Sequence, residues 1–108
     1  MNDEWDESIR GPKMSQDSGK IIFKYQMPVL EDFEMTLPEG AEIIRMEDRE
    51  GMFWLWAVVD TSAPEETRTF KAFKTGAEIP AGLNLKYVGF CAVFVQMELG
   101  LYIFEVIE

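Results

Sequence analysis

Hydrophobic and polar residues alternate along most of this chain with a period of two. Lys20–Met27 places Ile21, Phe23, Tyr25 and Met27 on one side and Lys24 and Gln26 on the other. That is the pattern of a strand with one face against a core. Pro28 closes it. Asp32–Leu37 repeats the pattern, with Phe33, Met35 and Leu37 set against Glu34 and Thr36. Leu37-Pro38-Glu39-Gly40 then reads as a turn with Pro second and Gly fourth. Glu42–Glu47 predicts a third strand of mixed faces, Ile44 and Met46 opposed to Ile43 and Arg45. Asp48-Arg49-Glu50-Gly51 predicts a hairpin into Met52–Val59. This fourth strand is apolar almost throughout, which predicts a central strand buried on both faces. Thr67–Lys74 predicts a fifth, with Phe70 and Ala72 opposed to Thr69, Lys71 and Phe73. A long connection with Gly76, Pro80 and Gly82 leads to a sixth strand over Leu85–Gln96, where Gly89 marks a bulge or bend. Met97-Glu98-Leu99-Gly100 turns into a last strand, Leu101–Ile107.

About seven strands and no convincing helix predict an all-β fold. The two architectures that suit the spacing are a compact antiparallel β-sandwich and a partly open barrel. A helix over Glu39–Glu50 is the rival reading, but Gly40 and Gly51 bound it tightly and Ile43-Ile44 lacks a 3.6-residue stripe. Residues 1–18 stand apart. They hold Asp3, Glu4, Asp6, Glu7 and Asp17 against Arg10 and Lys13, and Gly11-Pro12 breaks any helix. They predict a flexible, disordered acidic N-terminal arm ahead of a single β domain over residues 19–108. Trp5 and Ile9, four apart, would share one side of a helical turn formed on a partner.

Composition narrows the chemistry. The chain has 108 residues, 47% of them hydrophobic, with twenty acidic and ten basic side chains, no histidine and one cysteine. The length suits one core. Without histidine, no Ser-His-Asp triad, Cys-His pair or histidine metal ligand is available from this chain. One cysteine forms no internal disulfide and no cysteine-rich zinc site. A net charge of −10 repels nucleic acid and anionic membrane, so no direct binding to either is expected. The acidic start without an apolar run is unlike a signal peptide, and a lone free Cys91 fits a reducing compartment.

Each remaining candidate has a plain structural reading beside it. Cys91, in Phe90-Cys91-Ala92-Val93, reads as a small buried hydrophobe rather than a nucleophile. The carboxylates of Glu47, Asp48 and Glu50 read as a solvated hairpin tip rather than a cation loop, which needs about six oxygen ligands. Asp60-Thr61-Ser62 reads as a side-chain-bonded turn. Paired carboxylates for glycosidase chemistry need a cleft of fixed width, and the aromatic residues are expected mostly in the core. Trp54 and Trp56 share a strand face, for which core packing is preferred over a binding surface. Carboxylates spaced to mimic nucleic acid are not evident, since Arg45, Arg49, Lys71 and Lys74 interrupt them.

Several short pieces in order carry a resemblance: Lys20-Ile21-Ile22-Phe23-Lys24-Tyr25 before Met27-Pro28-Val29, and Leu37-Pro38-Glu39-Gly40-Ala41 before Ile43-Ile44. Leu55-Trp56-Ala57-Val58-Val59-Asp60 leads into Ala63-Pro64 and Glu66-Thr67-Arg68, Thr75-Gly76 precedes Ile79-Pro80, and Tyr87-Val88-Gly89 opens the sixth strand. Over about residues 20–108 the chain resembles a family of short uncharacterised phage and prophage proteins. The resemblance implies a phage origin and a small β domain, and supplies no catalytic residue. Members of that family often carry histidine after the Thr-Gly and in the last strand. Here those places hold Ala77 and, roughly, Phe104 or Glu105.

These readings lead to a non-enzymatic phage accessory protein without cofactor or metal. It would work in the host cytoplasm by occupying a basic surface of a host protein, possible targets including a defence complex such as a CRISPR effector. The expected contacts are Asp3, Glu4, Trp5, Asp6 and Glu7 of the arm and Glu47, Asp48 and Glu50 of the hairpin tip. The alternative is a structural virion component, in head decoration or assembly, whose edge strands pair between copies. A ligand sponge with a pocket between sheets is a third class, unsupported by any glycine-rich phosphate loop.

Overall fold

In a computed structural model, residues 19–94 and 98–107 are described. The predicted arm therefore lies outside the described residues, as do residues 95–97; Glu98, Leu99 and Gly100, expected in a turn, are strand. The described chain is all-β, with seven strands: β1 (Lys20–Met27), β2 (Asp32–Pro38), β3 (Glu42–Arg49), β4 (Met52–Asp60), β5 (Glu65–Lys74), β6 (Leu85–Phe94) and β7 (Glu98–Val106). They form two antiparallel sheets, a three-stranded one in the order β1-β4-β3 and a four-stranded one in the order β2-β5-β7-β6. Of the two predicted architectures, this is the sandwich.

The period-two pattern explains the core. Phe33, Met35 and Leu37 of β2 and Phe53 and Leu55 of β4 alternate inward, and Met27 joins them from the end of β1. Ile21 and Phe23 of β1 lie exposed, contrary to the expected core face, because β1 is an end strand. Phe70, Cys91 and Ile103 of the four-stranded sheet, which also holds β2, are wholly buried. Phe33 stacks on Phe70 with ring centres 5.2 Å apart. A core built from alternate positions needs each strand held in register, because a slip of one residue turns every apolar side chain outward.

Turns set that register. Ala41 N–H donates to the Pro38 carbonyl at 3.1 Å, and Gly40 has φ of +80°. The turn is therefore Pro38–Ala41, one residue later than expected, with Gly40 at the third position that a type II turn gives to glycine. The β3–β4 hairpin has a two-residue tip, Glu50 and Gly51, both at positive φ (54° and 83°). This is the left-handed pair that matches strand twist, and Glu50 is an unusual occupant. At Asp60, Ser62 donates from N and Oγ to Oδ1 (2.9 and 2.7 Å), forming the expected side-chain-bonded turn.

Two bulges re-aim side chains. In β3 the register shifts between Ile43 and Arg45, so Ile43 and Met46 face inward while Arg45, Glu47 and Arg49 face outward. Simple alternation, with Met46 opposed to Arg45 but beside Ile44, does not describe this strand. The bulged Ile44 absorbs the mismatch and keeps a guanidinium out of the core. In β6 the shift falls between Tyr87 and Gly89, as the glycine suggests. A Cβ on Gly89 would lie 2.7 Å from Met46 Cγ, so the glycine admits β3 against β6. Asp48 completes this seam by accepting the Ala92 N–H at 3.0 Å.

Candidate functional site

Three places are built beyond what the core requires. The first is inside. Arg68 of β5 and Glu105 of β7 face the core and pair side by side, Nε to Oε2 at 2.7 Å and Nη2 to Oε1 at 2.8 Å. Arg68 Nη1 also donates to the Ala41 carbonyl at 2.6 Å. Both side chains are largely buried, at 14% and 9% exposure. The Glu105 hydrogen bond raises the Arg68 pKa against the opposing effect of burial. The guanidinium therefore acts as a fixed cation tying β5, β7 and the turn before β3 together, not as a proton carrier. It floors a cleft of about 230 Å3 rimmed by Glu42, Lys86 and Tyr87. Sequence reasoning passed over this pair. The signal was parity: Arg68 alternates in phase with Phe70 and Ala72, and Glu105 with Ile103.

The second place is the outer face of the three-stranded sheet. Only Phe53, Leu55, Ala57 and Val59 of β4 are buried; Trp54, Trp56 and Val58 lie on the other face, half-buried. The apolar run does mark a central strand, but one face is outward, and the tryptophans are on it rather than in the core. Cations cover the rings. Lys24 Nζ sits 4.4 Å from the Trp54 ring centre, and Arg45 Cζ and Arg49 Cζ sit 4.8 and 5.6 Å from that of Trp56. Such contacts let aromatic rings remain at the surface. Arg45 and Arg49 both donate to one oxygen, Glu47 Oε1, at 2.8 and 3.1 Å.

The third place is the outer face of the four-stranded sheet. Register puts Phe73 of β5, Tyr102 and Phe104 of β7, and Tyr87 and Phe90 of β6 together there. Phe104 packs edge-on against Phe73 and Tyr87 (5.8 and 5.5 Å between centres), and Phe90 tilts on Tyr102 at 5.0 Å. A Cβ on Gly100 would come within 2.6 Å of Phe90, so this glycine lets the ring lie flat on the sheet. Tyr87, Phe90 and Tyr102 are 54, 38 and 39% exposed. Among the described aromatic side chains only Phe33, Phe53 and Phe70 are buried, contrary to the expectation that the core claims most of them. Exposed Asp32 and Glu34 of β2 flank the same face, with Asp32 paired to Lys71.

The expected contact residues do not form one patch. Glu47 is held between two arginines on the outer face, Asp48 turns inward to the Ala92 amide, and Glu50 sits exposed in the hairpin tip. Asp3, Glu4, Trp5, Asp6 and Glu7 lie outside the described residues. Cys91 is buried with its thiol pushed up to about 11, chiefly by burial and secondly by the Asp48 charge. It is a neutral thiol at pH 7, not a nucleophilic thiolate.

No curated protein matches this chain, and no solved structure does. A family model matches residues 18–108, nearly the span over which the resemblance was drawn. The chain belongs to the family described as a domain of unknown function, DUF7352.

Proposed function

We propose that this protein is a non-enzymatic binding domain that docks the aromatic face of β5, β7 and β6 on another protein. The observation that carries the reading is the five-ring cluster of Phe73, Tyr87, Phe90, Tyr102 and Phe104 on an outward sheet face. Contiguous exposed apolar surface marks interaction sites, and Tyr and aromatic anchors dominate binding hot spots. The acidic flank of Asp32 and Glu34 and the net charge of −10 favour a partner with basic residues around an apolar centre. With the phage resemblance, this reads as a phage accessory protein that blocks a basic surface on a host protein in the host cytoplasm. The test compares tagged wild type with Tyr87→Asp/Phe90→Asp, whose targets are partly exposed. Wild type should capture a stoichiometric host partner, and the purified pair should lose at least about thirtyfold in affinity with the double variant. Equal affinity, or no partner at all, overturns the reading.

One observation favours the structural alternative. β1 is the end strand of its sheet and exposes Ile21, Ile22 and Phe23 at 44, 59 and 48%. An apolar sheet edge suits pairing between copies in a virion. Mass spectrometry of purified particles separates the two: high copy number supports the virion role, and absence removes it.

A further inference from the structure

The acidic start of the chain and the cation-covered tryptophan face belong to one molecule. Around Trp54 and Trp56 stand Lys24, Arg45 and Arg49, with Glu47 between the arginines. Both guanidiniums share a single carboxylate oxygen, so their charge is under-neutralised. Among the described residues no carboxylate pairs with Lys24. In a chain of net charge −10 this is a local cationic surface. Residues 1–18 carry five carboxylates against two cations, with Trp5 set among Asp3, Glu4, Asp6 and Glu7.

We propose that the segment Asp3–Glu7 docks on the Trp54–Trp56 face of its own chain, placing its carboxylates against Lys24, Arg45 and Arg49. Three arguments select this occupant. The charges are complementary. The connection is short: the described chain begins at Gly19, next to Lys20, the first residue of β1 on this same sheet. From Lys20 to Lys24 is about 13 Å along the strand, whereas the stretch between Glu7 and Lys20 can span roughly 40 Å. Finally, tethering raises the effective concentration of the segment to the millimolar range, so modest electrostatic attraction suffices. The inference does not rest on the partner-binding reading, which uses the other sheet. Its consequence is that a basic partner seeking the acidic segment would first have to displace it from the arginines.

The test uses the full chain with Asn2→Cys carrying a nitroxide. Cys91 stays unlabelled because it is buried and its thiol is raised to about 11. The Trp54 and Trp56 indole N–H signals should lose at least about twofold in height at roughly 10 mM salt. They should recover near 1 M salt, where the Debye length falls from about 30 Å to about 3 Å. Arg45→Gln/Arg49→Gln should restore them at low salt, and so should Asp3→Asn/Glu4→Gln/Asp6→Asn/Glu7→Gln, which changes no residue of the two sheets. Signals unaffected by the label at low salt overturn the proposal. So does equal broadening in a mixture of spin-labelled, isotope-silent protein with unlabelled, isotope-enriched protein, which would assign the contact to a second copy.

Discussion

The two outward faces of this sandwich solve the same problem differently. Both carry large aromatic side chains where sheet chemistry would put polar ones. On the three-stranded sheet, Trp54 and Trp56 lie under Lys24, Arg45 and Arg49, so each ring has a charged roof supplied by neighbouring strands. On the four-stranded sheet, Tyr87 packs on Phe104 and Phe90 on Tyr102, ring against ring. Aromatic residues at a surface do not by themselves mark an interface. What distinguishes the second face is that Tyr87, Phe90 and Tyr102 are exposed and, among the described residues, no cation lies over these rings, so burying them against a partner gains apolar contact without first removing one.

Both faces rest on one core, and the largest effect should come from there. Glu105→Ala leaves the Arg68 guanidinium without its carboxylate in a site where both side chains are largely buried. The expected loss is about 3–5 kcal/mol in chemical denaturation. A loss under about 1 kcal/mol would mean that water reaches the pair and that the sheets are less firmly joined than drawn.

The faces themselves separate at the next level. Trp56→Ala removes a half-buried ring together with its contacts to Arg45, Arg49 and Lys24, and should cost about 2 kcal/mol. Tyr87→Ala removes a ring that is 54% exposed and should cost under about 1 kcal/mol. Equal losses in parallel urea melts would erase the distinction between a roofed and a bare face. A smaller effect of opposite sign is expected beside the roofed face. Glu50 holds φ of 54° in the hairpin tip, and Glu50→Gly should stabilise by about 0.5–1 kcal/mol.

The smallest effect is expected inside the four-stranded sheet. Cys91 points inward from β6, one residue from Phe90, and its thiol is raised from 9.0 to about 11. The folded state holds this proton more tightly than the unfolded one. Its stabilising contribution is therefore complete below the unfolded pKa and is lost as pH rises through the interval from about 9 to about 11. Thermal melts across that interval should fall less for Cys91→Ala than for wild type. Identical pH slopes would show that the thiol is not the group responsible.

Particular residues show how far sequence could reach. Phe70 and Ala72 against Thr69, Lys71 and Phe73 is a pattern that alternation states outright, and β5 folds that way. Gly89 announced its bulge because a glycine inside an apolar strand signals close approach, here by Met46. Ile43-Ile44-Arg45 gave no such signal. Which isoleucine turns inward depends on where β4 pairs, which is decided across the sheet. Arg68 and Glu105 were readable one at a time by parity, but their meeting required β5 and β7 to be neighbours.

Local physics therefore determined the strands, their order along the chain, most turns and the absence of histidine chemistry. Those follow from side-chain periodicity, backbone freedom at glycine and proline, and composition. Tertiary structure decided which aromatic residues are buried. A strand's alternation separates two faces but does not say which face meets the other sheet, or whether the remaining one finds cations above it. Trp54 and Trp56 found them. Tyr87 and Phe90 came together through a bulge in β6 and pairing with β7, and were left bare.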